Sequence, residues 1–446
     1  MFLVVTRTFP PEVGGMQNLM WGLARSLAKI DLIKVFADYS ENHEEFDKKV
    51  SFSVERVKGI KLLRKYRKPH LVNEYLSQNS KVKCIISDHW KSLELIKSNK
   101  KKICLIHSKE INHKKGSRIN KKVLEVLNNV DHIVANSNYT KNLAIELGVE
   151  EKRIIVINPG VDPALDIPKN DLKKAEEILK GKKNRLITVS RFDKRKNHEK
   201  VIMAIRNLKE IYPDIIYTCI GYGNEEENLK KLVIELKLEN HVVFLKDIPD
   251  NLKNALVAKS NIFVMPSIIH KNSVEGFGIA FVEAAQYGIP SIGGKDGGAS
   301  DAIIHEKTGL ICDGNNLDEI YSSIDDLLKA MGRFFEVDRA YVYAFSKDYA
   351  QMTNTHEWTR AGVPSLMAEQ QEVDISGFTW WQGQIHRMID QDKVVFVEDV
   401  NALPVDATEE KLLLQSQGVK SMICAPILVR GEVMGFFGVD SLSLRP

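Results

Sequence analysis

Up to about residue 328, short apolar runs alternate with longer helix-forming stretches, and that rhythm restricts the chain to an α/β fold. The runs at 2–6, 32–36, 82–86, 103–107, 132–135 and 154–157 read as strands, with helices such as 17–30 between them. A stretch at 163–171, carrying prolines and charges, reads as a linker. A second series follows at 185–189, 215–220, 242–245, 262–265, 291–293 and 309–312. Two such wound sheets facing each other leave a cleft where the carboxyl ends of their strands meet.

The 446 residues, 43% of them hydrophobic, suffice for two or three domains with proper cores. Cys84, Cys104, Cys219, Cys312 and Cys424 never form a close pair, and four lie in apolar strand-like runs. That usage points to free thiols in a reducing cytosol, with neither zinc nor a disulfide framework. The first six residues read as a strand rather than a signal peptide, and no apolar stretch approaches the roughly 20 residues a membrane-spanning helix needs. The expected location is the cytoplasm.

Charge is unevenly shared. From Lys329 onward there are 11 basic and 16 acidic residues, net −5, so the first 328 residues carry net +9. Lys58, Lys61, Arg64, Lys65, Arg67 and Lys68 cluster, followed by 100–102 and 114–122. This basic excess is either a solvated face or a surface drawn to anionic lipid at the inner membrane face. A nucleic-acid partner is not expected, because no aromatic residues interleave one stripe.

The chemistry concentrates at 275–298. An apolar run at 261–265 reads as a buried parallel strand, after which Glu275 is expected to open a helix stopped by Gly288 and Pro290. Gly276, Phe277 and Gly278 would form its first turn, with the glycines leaving N–H groups open to an anion such as a diphosphate. Glu275 and Glu283 would then stand about 12 Å apart along that helix. Phe281, Val282, Ala284 and Ala285 surround Glu283, so its carboxylate needs a polar partner. Gly297-Gly298 either brings N–H groups toward phosphates or makes a simple turn. Arg191 and Lys196 follow a strand and can neutralise a diphosphate on the same side of the cleft. No Asp-x-Asp is suited to hold a metal, and none is expected.

The order of these motifs resembles a retaining family-four glycosyltransferase of the two-Rossmann GT-B fold. The resemblance rests on residues 9–17 around Gly14-Gly15, Asn158-Pro159-Gly160-Val161-Asp162, Arg191 with Lys196, Gly221-Tyr222-Gly223 and the Glu275/Glu283 pair. It implies a domain at 1–165 on the acceptor side and another at 166–328 that binds the nucleotide sugar through Gly14, Gly15, Gly221, Gly223, Gly276, Phe277, Gly278 and Glu283. It also implies catalytic roles for His107, Glu275, Arg191 and Lys196. Asp88-His89 ends the preceding strand and is a weaker candidate. Asp301 stands where the family more often has glutamate.

From 329 to 446 the sequence resembles a GAF domain, with an amphipathic helix near 324–335 running into a strand and a closing hairpin turned at Arg430-Gly431. The usual final helices of the transferase and the terminal helix of the GAF fold are expected to be missing. His356, Glu357, Trp358, Trp380 and Trp381 are candidates for a small-molecule pocket, or the tryptophans are core. Cys424 reads as core rather than a chromophore attachment point, and dimerisation through this domain is a further expectation. Three functions stay open. One is transfer of a sugar from a nucleotide-diphosphate sugar to a glycan or lipid-linked acceptor, in cell-surface polysaccharide synthesis. Another is a sugar-nucleotide epimerase or phosphorylase on the same fold, although no convincing pyridoxal-phosphate lysine site is present. The third is a non-catalytic sensor or chimeric fusion dominated by its GAF part.

Overall fold

The computed structural model describes residues 1–60, 63–164, 166–335, 337–360, 362–391, 394–429 and 432–442. The chain divides into two compact units, Met1–Leu328 and Lys329–Pro446.

The first unit contains two parallel sheets. The amino-terminal one is built from β1 (Phe2–Val5), β2 (Ile33–Asp38), β3 (Ser53–Val57), β4 (Cys84–Ser87), β5 (Lys101–Ile106), β6 (His132–Ala135) and β7 (Ile154–Val156), in the order β3-β2-β1-β4-β5-β6-β7. The other joins β8 (Asn184–Val189), β9 (Ile215–Ile220), β10 (Val242–Leu245), β11 (Ile262–Met265), β12 (Ser291–Gly294) and β13 (Gly309–Cys312), ordered β10-β9-β8-β11-β12-β13. Strands covered on both faces must be apolar throughout, and all six residues of β9 and all four of β11 are buried. In each sheet the order reverses at one point, β1/β4 and β8/β11, where crossovers leave toward opposite sides.

The structure corrects several expected elements. β3 is additional, because an edge strand carrying Glu55 and Arg56 lacks an apolar run. Helix α1 is Gly15–Ala28 rather than 17–30. The linker is shorter than 163–171, because a helix, Lys169–Leu179, packs its buried Ala175 and Leu179 into the second core. The helix expected from Glu275 starts only at Ile279: α11 is Ile279–Ala285, and Gly278 before it is left-handed (φ 91). A side chain there would collide with the Phe281 ring, so glycine is required. The 12 Å helical spacing of Glu275 and Glu283 therefore does not apply.

At the β1/β4 switch point Asp88 accepts from Thr6 Oγ1 at 2.8 Å and Thr8 Oγ1 at 2.9 Å. Lys68 is buried, ion-paired with Asp38 and bonded to the Thr6 carbonyl, so it does not join the basic surface expected of it. Lys61 lies outside the described residues, as does the Arg430-Gly431 turn. All five cysteines are free and buried in strands.

The second unit is an antiparallel sheet ordered β16-β15-β14-β19-β18-β17. Its strands are β14 (Arg339–Phe345), β15 (Gln351–Thr359), β16 (Val373–Asp374), β17 (Val395–Val397), β18 (Ser421–Val429) and β19 (Glu432–Ser441). Tyr343 stacks on Phe436 at 5.1 Å, and Trp381 meets Phe436 edge-on at 5.2 Å. Arg339 is buried against Asp440.

Separate cores should yield separable unfolding transitions. Phe263, nearly inaccessible and edge-on to Phe281 at 5.7 Å, anchors α11; Phe263→Ala should cost about 3–5 kcal/mol in the first unit. Trp381→Ala should lower only the other calorimetric transition, and a shift of both by either change would contradict independent cores. Burial also holds His198 and His89 at about 3 and His107 at about 4, each below the usual histidine value near 6.5. The unfolded chain then takes up these protons first, so stability is present above pH 6.5 and drains away as pH falls toward 3. Replacing His198 by Gln should flatten that acid slope by at most about 1.4 kcal/mol per pH unit in urea unfolding, and an unchanged slope would contradict burial of a neutral ring.

Candidate active site

The residues Lys194–Lys196 after β8 form a short 3-10 turn ended by Asn197 in the left-handed conformation (φ 62). Asn197 is fastened there by its side-chain amide, which donates to the Pro266 carbonyl at 2.9 Å and the Gly314 carbonyl at 2.7 Å. This turn aims two consecutive cations inward. Lys196 Nζ lies 2.5 Å and Arg195 Nη1 2.7 Å from the same oxygen, Oε2 of Glu275. Burial alone would raise the Glu275 carboxyl, but Lys196 and then Arg195 outweigh it and hold the group at about 2. The triad carries net +1. Arg191 is 68% exposed, 3.9 Å from Asp193, and its guanidinium is open to solvent.

Gly221 and Gly223 sit where β9 ends against the Ser190–Phe192 turn. A Cβ at Gly221 would fall 2.0 Å from the Ser190 carbonyl oxygen, and one at Gly223 2.3 Å from that of Phe192. These glycines therefore let the turn bearing Arg191 lie close on the neighbouring strand. Phe277 is buried as packing.

Across the unit, the loop Glu275–Gly278 meets the carboxyl ends of β5 and β6. A Cβ on Gly276 would stand 2.4 Å from the His107 carbonyl oxygen, 2.9 Å from Asn136 Nδ2 and 3.0 Å from Ser108 Oγ. Both ring nitrogens of His107, Ser108 Oγ and Asn136 Oδ1 are buried without a protein partner. Behind them, Glu110 accepts from the His107 N–H at 2.5 Å, and burial pushes its carboxyl up to about 7. Gly14 precedes α1 without a side-chain cap, and a Cβ on Gly15 would lie 3.7 Å from Ile279. The starts of α1 and α11 are thus neighbours.

A cleft of about 860 Å³ is lined by Gly15, His107, Asn136, Ile279, Glu283 and linker residues 157–164. Burial raises the Glu283 carboxyl, opposed by nearby Lys253. The structure thus brings Lys196 together with Glu275, and His107 together with Gly276. It sets Glu283 on the cleft wall, away from the triad. Of the paired glycines, Gly298 commits its N–H to the Glu275 carbonyl at 2.8 Å, so it supports the loop instead of facing a phosphate. His89 caps a short helix by accepting from the Lys91 N–H, and Asp88 is saturated by its threonines.

Sequence reasoning passed over Arg195, Asn197, Ser108 and Asn136. Arg195 was concealed within a run of three basic residues, whose inward direction depends on the left-handed Asn197. In the second unit, Glu357, Trp380 and Trp381 line a cavity of about 60 Å³ with Tyr343 and Phe436, whereas His356 and Trp358 are exposed.

Comparison with known proteins agrees with this architecture. Residues 13–165 match the model for Glycosyltransferase Family 4, 169–336 that for Glycosyl transferases group 1, and 319–446 that for the GAF domain. The chain is 26% identical over 345 residues to the GDP-mannose-dependent alpha-(1-6)-phosphatidylinositol monomannoside mannosyltransferase of Mycolicibacterium smegmatis, covering 73% of this chain and 88% of the relative. Against the protein of that name from Mycobacterium tuberculosis it is 28% identical over 204 residues, 44% of this chain, and spans about half (52%) of the relative's length. Anabaena Alr3699/HepE, solved in complex with UDP, superimposes with a TM-score of 0.62 at 18% identity over 74% of this chain and 90% of that one. Through residues 13–165 and 169–336 the chain therefore belongs to the family 4 and group 1 glycosyltransferases with the GT-B fold, and over residues 319–446 it carries a GAF domain.

Proposed function

We propose that the protein moves a sugar from a nucleoside-diphosphate sugar to a glycan or lipid-linked acceptor, with retention of configuration and without a metal, in cell-surface polysaccharide assembly. The buried Lys196–Glu275–Arg195 triad, with Gly276 next to Glu275 lying against the His107 carbonyl, carries this reading. A departing nucleoside diphosphate needs cations in a site shielded from water, where they act most strongly. Lys196, Arg195 and the exposed fork of Arg191 supply them, while the neighbouring starts of α1 and α11 add N–H groups. Glu283 on the cleft wall is suited to accept from ribose hydroxyls. The sugar lies between Glu275 and His107, within reach of Asn136 and Ser108.

Retention is favoured because inversion calls for a general base to activate the acceptor. His107, at about 4, is weakly basic, and Glu275 is engaged by two cations. The mycobacterial relatives are named for GDP-mannose and the Anabaena structure contains UDP, so GDP-mannose and UDP-glucose are the first donors to assay. With the active donor, Lys196→Ala should lower kcat roughly 10²–10³-fold and Glu283→Ala should raise KM for the donor, while EDTA leaves the rate unchanged. Unaltered kinetics in both variants, or loss of activity in EDTA, would overturn the assignment. Product anomers read by NMR decide retention.

A lipid-linked acceptor is supported by the exposed apolar side chains of Ile60, Leu63 and Tyr66. Ile60, Leu63 and Tyr66 are 66%, 49% and 60% exposed beside Lys58 and Lys65. Apolar side chains among cations suit an anionic bilayer, and no helix among the described residues is long and apolar enough to cross one. The protein should sediment with vesicles containing phosphatidylglycerol, less so with Ile60→Ser/Tyr66→Ser, and not with phosphatidylcholine alone. Equal binding to both vesicles would remove this support.

A further inference from the structure

We infer that Asp301 is a positioning residue that sets His107 against Glu275 by clasping the two halves of the first unit together. Asp301 lies on the short helix α12 (Ala299–Ala302) of the second half. Its Oδ2 accepts from three donors of the first half: the Asn138 backbone N–H at 2.7 Å, Asn138 Nδ2 at 3.0 Å and Asn158 Nδ2 at 3.4 Å. Asn138 opens helix α6 (Asn138–Leu147), whose positive end favours a carboxylate. Asn158 also donates to the Asn136 carbonyl at 3.2 Å, so the clasp reaches the residue that lines the cleft beside His107.

On its own half, Asp301 is continuous with the reacting loop. Its N–H donates to the Gly298 carbonyl at 3.1 Å, and the Gly298 N–H donates to the Glu275 carbonyl at 2.8 Å. The turn admits no side chain: a Cβ on Gly298 would lie 2.0 Å from the Gly276 carbonyl oxygen and 2.8 Å from Ser137 Oγ, and one on Gly297 2.3 Å from the Glu275 carbonyl oxygen. From Asn138 through Asp301, Gly298 and Glu275 to Gly276 and the His107 carbonyl, the contacts form a continuous path between the two sheets. Within that path the clasp is the part that joins two separate sheets, through one carboxylate with three donors.

Because the proposed donor cations all belong to the second half, losing the clasp should spare donor binding and impair transfer; this step rests on the transferase reading above. Asp301→Ala in the full chain should leave the Kd for the nucleoside diphosphate within 3-fold and lower kcat about 10- to 100-fold, with Asp301→Asn recovering most of the rate. Asn158→Ala should act in the same direction more weakly, and the double variant should be no worse than Asp301→Ala, as expected of members of one contact network. Hydrogen exchange without any substrate gives an independent reading: amides 138–140 and 275–278 should exchange together at least 10-fold faster in Asp301→Ala, while β9 stays protected. Failure of the unaltered protein to bind either nucleotide would refute the proposed function and leave the exchange result to decide the clasp. Unchanged exchange at 275–278, or parallel losses of kcat, affinity and β9 protection, would overturn it.

Discussion

Two cations and one carboxylate, all withdrawn from water, set the terms for the rest of the first unit. Lys196, Arg195 and Glu275 meet at a single oxygen. Removing ions from water is expensive, and only close, multiply bonded geometry repays it. The geometry here depends on backbone that few sequences permit: a left-handed Asn197 tied to two carbonyls on one side, and a glycine-rich loop on the other. A buried ion pair of this kind is a poor source of stability and a good source of directed charge. His107, held neutral by burial, lines the cleft and adds no competing charge.

The two sheets deliver these groups from the carboxyl ends of their strands. His107 and Asn136 follow β5 and β6 directly, Lys196 and Arg195 stand in the turn after β8, and Glu275 lies in the connection between β11 and α11, held by its two cations and by the Gly298 N–H on its carbonyl. The glycines at 221, 223, 276 and 298 serve this economy in one way: each occupies a place where a Cβ would strike a carbonyl oxygen within 2.4 Å. They are positions of close approach between backbones, which explains why glycine recurs around a site whose chemistry is carried by other residues.

Much of this was legible in the chain. Parallel strands at the centre of each sheet are continuously apolar, so their existence and order of appearance could be read directly, as with the runs that became β9 and β11. Lys196 was legible because it lies shortly after a strand end, and Glu275 because of its flanking glycines and its spacing to Glu283. Arg195 was not, because a local turn decides whether a residue in a basic run faces inward. The start of α11 was misplaced by four residues, since nothing local distinguishes a glycine-rich first turn from a glycine-rich loop; the Phe281 ring settles it. Least legible was the pairing of Asp301 with Asn138, 163 residues apart in sequence, because a contact between two sheets is set by how they face one another. Lys68, placed on the surface by composition, is instead buried beside Asp38.

The GAF unit has its own core, with stacked aromatics and a buried Arg339–Asp440 pair, and its small cavity is lined by Trp381, Tyr343 and Phe436. In the first unit, the buried triad and the cleft wall together would form a nucleotide site. Calorimetric titration of the full chain with GDP and with UDP, beside a Lys196→Ala/Glu283→Ala variant, tests it most directly. The account predicts micromolar binding of one nucleotide that the double variant loses. Binding of neither nucleotide, or binding that survives in the variant, would contradict it.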